Sequence, residues 1–262
     1  MRKIGINMHA KIGLTDEEYI DALAANGFEC LFAGPWEHSR LENLANYAAK
    51  RGLSVEMLHA PFNHINDIWF AGEGGDAMLQ ELKDCVDGCV AAGTGIAVLH
   101  LSSGEDAPPV TDIGRARFEE LVAYANGRGV KIAFENQRKL ANLAWSMETF
   151  TAQEAGFCWD CGHEACFTPG REFMPLFGDR LICTHIHDNF KVYNEDRHLL
   201  PFDGAVDFTR TADLLKQYDY QGNLSLEVMT KNSNVYDDMD IDTYLERAAA
   251  SAKRLRTMLD NH

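Results

Sequence analysis

A chain of 262 residues, 46% hydrophobic and 24% charged, can bury one large core, and its composition excludes disordered and collagen-like polymers. Its 40 acidic residues against 24 basic ones give a formal charge of −16, which repels phosphate backbones and anionic lipid and so disfavours nucleic-acid and membrane partners. Seven cysteines, an odd number in a chain too large to need disulfide staples, argue for reduced thiols in a cytoplasmic compartment.

Met1-Arg2-Lys3 runs straight into a strand pattern with no apolar leader, and no window approaches the roughly 18 uninterrupted apolar residues of a membrane span. That first strand is predicted over residues 3–8. A helical pattern over 16–26 follows, opening at Thr15 with Glu18 three positions on, the arrangement of a capping box. Further strands are predicted over 29–33, 54–59, 95–101, 131–136, 156–160, 181–188 and 223–228, with amphipathic helical stretches between them. Gly27, Gly52, Gly93 and Gly129 stand where helices turn into the next strand. After the first strand the chain reads His9-Ala10-Lys11-Ile12-Gly13, without the glycine-rich turn of a doubly wound nucleotide fold, and no G-x-x-x-x-G-K-[ST] is present. Eight strand–helix units without a Ser- or Pro-rich break predict a single (β/α)8 barrel over residues 1–262.

The C-terminal ends of barrel strands converge on one rim, where such folds place their chemistry. Here those ends carry His59, His100, Glu135, Asp160 followed by His163, His185 with His187, and Glu227. A lone histidine at a strand end is ordinarily a hydrogen-bonded core residue, and a lone acid there ordinarily caps a helix. Six of eight strands ending in His, Asp or Glu is a different matter: such a ring repels itself unless a divalent ion neutralises it. Mixed oxygen and nitrogen donors suit Mn²⁺, Mg²⁺, Co²⁺ or Zn²⁺. His185 and His187, two apart on a strand, face the same side, so one can ligate while the other orients substrate. Cys158, Cys161 and Cys166 crowd around His163, but one C-x-x-C without a second pair reads as small apolar filler and not as structural zinc.

The segments Ile132-Ala-Phe-Glu-Asn-Gln137, Cys158-Trp-Asp-Cys-Gly-His163, Thr184-His-Ile-His-Asp-Asn189, Glu195-Asp-Arg-His198 and Leu224-Ser-Leu-Glu-Val228, with Asp203-Gly204 and Asp207-Phe208, carry a family resemblance. Over essentially its whole length the chain resembles the xylose-isomerase-like barrel superfamily of sugar isomerases, ketose epimerases, inosose dehydratases and endonuclease-IV-type apurinic endonucleases. The resemblance to the ketose epimerases implies one divalent ion held by Glu135, Asp160, His185 and Glu227, with His187 the close second to His185. It implies isomerisation or epimerisation of a ketose or sugar phosphate through a metal-bound enediolate, with Glu135 and Glu227 moving the proton on opposite faces of the sugar.

His59, His100, His163, Asp196 and His198 match the positions that complete the trinuclear zinc cluster of the endonucleases; here they are read, with His187, as contacts to substrate. Lys191 is the candidate for an anionic or hydroxyl-rich substrate end, and Trp36, Phe62 and Trp159 for apolar walls. An inosose or keto-sugar dehydratase, a metal phosphodiesterase at abasic DNA and an inert binding barrel are the alternatives. The acidity and the lack of a basic, aromatic-studded loop series favour a small molecule over nucleic acid. Homo-oligomerisation is left open.

Overall fold

The computed structural model describes residues 2–8 and 13–260; residues 9–12, where the absent glycine-rich turn was read, lie outside the described residues. Eight strands, β1 (Ile4–Asn7), β2 (Cys30–Ala33), β3 (Ser54–His59), β4 (Ile96–His100), β5 (Lys131–Glu135), β6 (Ala155–Asp160), β7 (Leu181–His185) and β8 (Leu224–Leu226), form one sheet. Each of β1 to β6 pairs in parallel with the next, and β1 also pairs with β8. The ring closes between β7 and β8 through a parallel bridge of Ile186 and Leu226, where Ile186 N donates to Ser225 O at 2.9 Å.

The helices between strands are α1 (Asp16–Asn26), α2 (His38–Lys50), α3 (Glu73–Ala92), α4 (Asp112–Asn126), α5 (Leu140–Thr149), α6 (Cys161–Phe167), α7 (Met174–Phe177) and α8 (Phe208–Gln217), with α9 (Ile241–Asp260) following β8. The capping box at α1 is formed in both directions, and the four predicted helix-closing glycines all have positive φ. No helix among the described residues is long and apolar enough to cross a membrane. β7 and β8 are shorter than predicted. Past His185 and Leu226 the backbone takes partners outside the strand ladders: Asp188 pairs with Leu199, and Val228 N donates to the Asn7 side chain at 3.0 Å.

Strand periodicity places the site. Phe32, Met57, Val98, Ala133, Cys158 and Cys183 form a small apolar cluster filling the barrel, while Leu31, Leu58, Leu99, Phe134 and Trp159 belong to the large core that packs under the helices. The next inward position along each of five strands, two residues on, is His59, His100, Glu135, Asp160 or His185. Two register shifts make this alignment possible. Leu31 and Phe32 oppose Val55 and Met57, and Phe157 and Cys158 oppose Leu181 and Cys183, so Glu56 and Ile182 are extra residues in their strands. Without such a bulge every later side chain would change face, sending His59 and His185 into the helical layer.

Candidate metal centre

Glu135 is the hub of the ring. Its Oε2 accepts from His100 Nε2 at 2.9 Å and His59 Nε2 at 3.3 Å, and its Oε1 from His185 Nδ1 and His163 Nδ1, both at 3.1 Å. Glu227 Oε2 lies 3.3 Å from the same His185 Nδ1. The His185 ring is stacked between Phe32 at 4.9 Å and His59 at 5.5 Å, which fixes its plane. Asp160 has two tasks: Oδ1 caps α6 by accepting from His163 N at 2.6 Å, and Oδ2 accepts from His187 Nε2 at 3.1 Å. The cap and the candidate ligand are one residue because α6 starts where β6 reaches the rim.

The remaining groups come from the long loop between β7 and α8. Buried Asp188 organises it, accepting from Asn189 N and Gly204 N at 2.8 Å and from Val206 N at 2.9 Å. A Cβ at Gly204 would lie 2.5 Å from both Asn189 O and Asp188 Oδ1, so only glycine fits there. Lys191, Asn194, His198 and Phe202 in this loop all have positive φ, a conformation non-glycine residues hold only where the surroundings enforce it. The loop thereby delivers Asp196 and His198: Asp196 Oδ2 accepts from His198 Nε2 at 2.9 Å and His163 Nε2 at 3.2 Å, while His198 Nδ1 donates to Glu227 O at 2.7 Å.

Three donor sets result, each with ligand atoms within 4.8 Å of one another: Glu135, Asp160, His185 and Glu227; His59, His100 and Glu135; and His163, His187, Asp196 and His198. His59, His185 and Glu227 also meet this limit. No cysteine joins these sets, and all seven are buried free thiols. The residues fit a cation. The first set gathers three carboxylates around one imidazole, and the buried Asp196 Oδ1 has no hydrogen-bond partner among the described residues.

The electrostatics agree with a surplus of negative charge. Burial alone would lower His185, but the Glu227 and Glu135 carboxylates push it up to about 10. Burial is likewise outweighed at His198, raised to about 9 chiefly by Asp196. Burial would raise Glu227 and Glu135; the imidazolium charges instead pull Glu227 down to about 2 and hold Glu135 well below the usual carboxylate range. Protons on imidazole thus occupy the place that a metal charge would take, and binding of a cation there would release them.

Because His185 has a higher pKa folded than unfolded, its contribution to metal-free stability is complete below its ordinary 6.5 and is lost as pH rises towards about 10. The melting temperature of metal-free protein is therefore expected to fall between pH 7 and 10 while that of the metal-loaded protein holds. Melting curves in EDTA across that range check this, and a metal-free melting temperature that stays flat or rises contradicts it.

A cavity of about 470 Å³ opens over the ring, and His59, His100, His163, Asp196, His198 and Glu227 line it. Glu135, Asp160, His185 and His187 lie beneath, with side chains 0% exposed. His187, expected to touch substrate, is enclosed: it stacks on His198 at 4.0 Å and bonds to Asp160. Lys191 does not line this cavity. It borders a separate one with Trp159, Glu164 and Arg210. Of the expected aromatic walls only Phe62 is in place, stacked on His100 at 4.5 Å. Trp159 is buried with its Nε1 donating to Glu164 at 3.0 Å, and the ring of Trp36 lies under the Arg40 guanidinium. The structure adds Phe167, stacked on His163 at 4.7 Å, and the neighbours Gln137 and Arg138. Gln137 Nε2 lies 3.1 Å from both His100 Nε2 and His163 Nδ1. These two stand two and three positions after Glu135 in sequence; their nearness to it was the available signal.

Comparison with known proteins supports the fold and the family. Among solved structures, D-psicose 3-epimerase from Clostridium cellulolyticum H10, determined with D-tagatose, superposes with a TM-score of 0.79 at 14% identity, covering 98% of this chain and 99% of that one. The 3-keto-D-glucoside 4-epimerase of E. coli gives 0.75 at 17% identity over 98% and 100% of the two chains. At these identities the likeness is one of fold. Two curated relatives are uncharacterised proteins. One, of Sinorhizobium fredii, is 31% identical over 69% of this chain, and the other, of Methanocaldococcus jannaschii, is 23% identical over 69%. The chain spans 61% and 65% of the lengths of these relatives. The sequence pattern of one described family matches residues 18–258, and with it the chain belongs to the xylose isomerase-like TIM barrel family.

Proposed function

We propose that the chain is a divalent-metal-dependent isomerase or epimerase of a ketose or sugar phosphate, acting by proton transfer at a carbon beside a carbonyl. The observation that carries this reading is the placement of Glu227: it lines a cavity of sugar size, it shares His185 with a second carboxylate, Glu135, and both belong to the four-donor set. The epimerases that share the fold support it. Glu135, Asp160, His185 and Glu227 would hold the ion. When bound, a divalent ion supplies Lewis acidity towards a carbonyl and neutral-pH charge balance for the carboxylates.

The residues do the rest. Glu227, 11% exposed and held ionised, takes the proton. Glu135 is sealed beneath the cavity and held ionised, so the returned proton is the N–H proton of His59 or His100, which line the cavity and bond to its Oε2; the imidazole is reprotonated from solvent as Glu227 releases the proton it took. His163, Asp196 and His198 orient hydroxyls, and Phe62 and Phe167 exclude water with their ring faces. The test is NMR of a panel of ketoses and their phosphates in D₂O, with Mn²⁺, Mg²⁺, Co²⁺ or Zn²⁺ supplied singly. Deuterium should enter at the carbon beside the carbonyl and an epimer or isomer should accumulate. A dicarbonyl product with loss of a hydroxyl would assign the dehydratase chemistry instead, and absence of exchange with every metal would end the reading.

The three donor sets favour a second reading, metal-assisted phosphodiester cleavage by three ions. Charge argues for one. The first set adds Asp160 and Glu227 to Glu135, whereas the His59 and His100 set adds only imidazoles to it, so the first divalent ion enters the four-donor set. Elemental analysis of purified protein is expected to give about one tightly held ion per chain; about three zinc ions, with cleavage of an abasic duplex, would put the second reading ahead.

A further inference from the structure

Among the described residues, the cavity over the ring has a single lysine or arginine in its wall, Arg138. Its guanidinium lies 3.5 Å from the centroid of Phe167, whose ring also stacks on that of His163, so the cation stands one stacked ring away from the donor groups. Nε donates to Asn194 Oδ1 at 3.0 Å and Nη2 donates to the same oxygen. Asn194 is itself set, with a φ of 63° and its backbone N–H on Cys166 O at 3.0 Å. The fork is therefore held on one face and one edge. No carboxylate lies within salt-bridge distance of it among the described residues, and Nη1 has no protein partner there. Other cations near the rim are differently placed: Lys191 borders the neighbouring cavity, as does Arg210, which is paired with Glu172 at 3.0 Å.

An immobilised arginine with a spare N–H pair, in a wall whose other charged groups among the described residues belong to the donor cluster, is built for an oxyanion. A protein of charge −16 otherwise repels anions. We propose that Arg138 binds an anionic group of the substrate, a phosphate or a carboxylate, and that the site selects acidic sugars over neutral ones. This rests on the sugar chemistry proposed above and gives Arg138 the role that the sequence assigned to Lys191.

Calorimetry on Mn²⁺-loaded protein with D-fructose, D-fructose 1-phosphate, D-fructose 6-phosphate and D-fructuronate tests it. At least one acidic sugar is expected to bind about ten- to hundredfold more tightly than D-fructose, the increment of a charge-assisted hydrogen bond. The phosphate and carboxylate arms identify which oxyanion is taken. The preference should shrink as salt is raised, since the cation is half-buried and screened. Arg138→Gln, which retains an amide donor for Asn194, should reduce the ratio to about one, and Arg138→Lys should restore part of it. Equal binding of neutral and acidic sugars, binding of none, or a ratio unchanged in Arg138→Gln overturns the proposal. Deuterium exchange into D-fructose together with equal binding would overturn anion selection alone, whereas tight binding of an acidic sugar without any exchange would overturn the proton transfer alone.

Discussion

Glu227→Gln is expected to lower turnover by about 10²- to 10⁴-fold, the usual worth of a positioned acid–base group, while the protein keeps its fold and retains most of its metal. The amide keeps the shape and loses the basicity. Glu135→Gln should be as inactive for a different reason. Glu135 belongs to two donor sets and accepts from four imidazoles, so its loss removes a ligand and the charge that holds the ring together. That variant is expected to purify with clearly less metal than Glu227→Gln. Steady-state assays paired with elemental analysis and circular dichroism separate the two. Turnover at the wild-type rate by either variant would contradict the two-carboxylate mechanism.

Chelation is expected to abolish activity without unfolding the chain. The barrel's apolar contents, from Phe32 round to Cys183, and the larger core beneath the helices contain no ligand, so the metal joins strand ends that are already fixed. Removal costs only the mass-action stabilisation of a ligand bound by the folded state, about 2.7 kcal/mol at a hundredfold excess over Kd. For a domain of this size that is a fall of roughly 5–10 °C in Tm. Thermal melts after EDTA treatment, then activity with each metal restored singly, measure both parts. Loss of helical signal at room temperature would make the metal structural, and full activity in metal-free protein would remove the proposed chemistry.

The sequence by itself determined the architecture and which strand-end residues meet at the rim. Alternation of apolar strands with capped, glycine-closed helices is a local signal, and eight repeats of it leave a barrel as the simple solution. That His59, His100, Glu135, Asp160, His185 and Glu227 gather was legible because strand ends share a rim whatever the details of packing; the choice of Glu135, Asp160, His185 and Glu227 as ligands came from the family resemblance. Access was not legible. His187 and Lys191 lie in the same segment as His185, yet the turn after β7 buries one against His198 and Asp160 and sends the other to a different cavity.

Only the tertiary structure decided which face each side chain takes. Glu56 and Ile182 are ordinary residues in sequence, but as extra residues in β3 and β7 they reset the alternation so that His59 and His185 point inward. The same holds for Arg138: its neighbour Glu135 marks the segment, but its partners Phe167 and Asn194 come from α6 and the loop beyond β7. Contacts between residues far apart in sequence have no local periodicity, so the enclosed hub, the Arg138 cation and the cavity between them emerge only when the strands close into a ring.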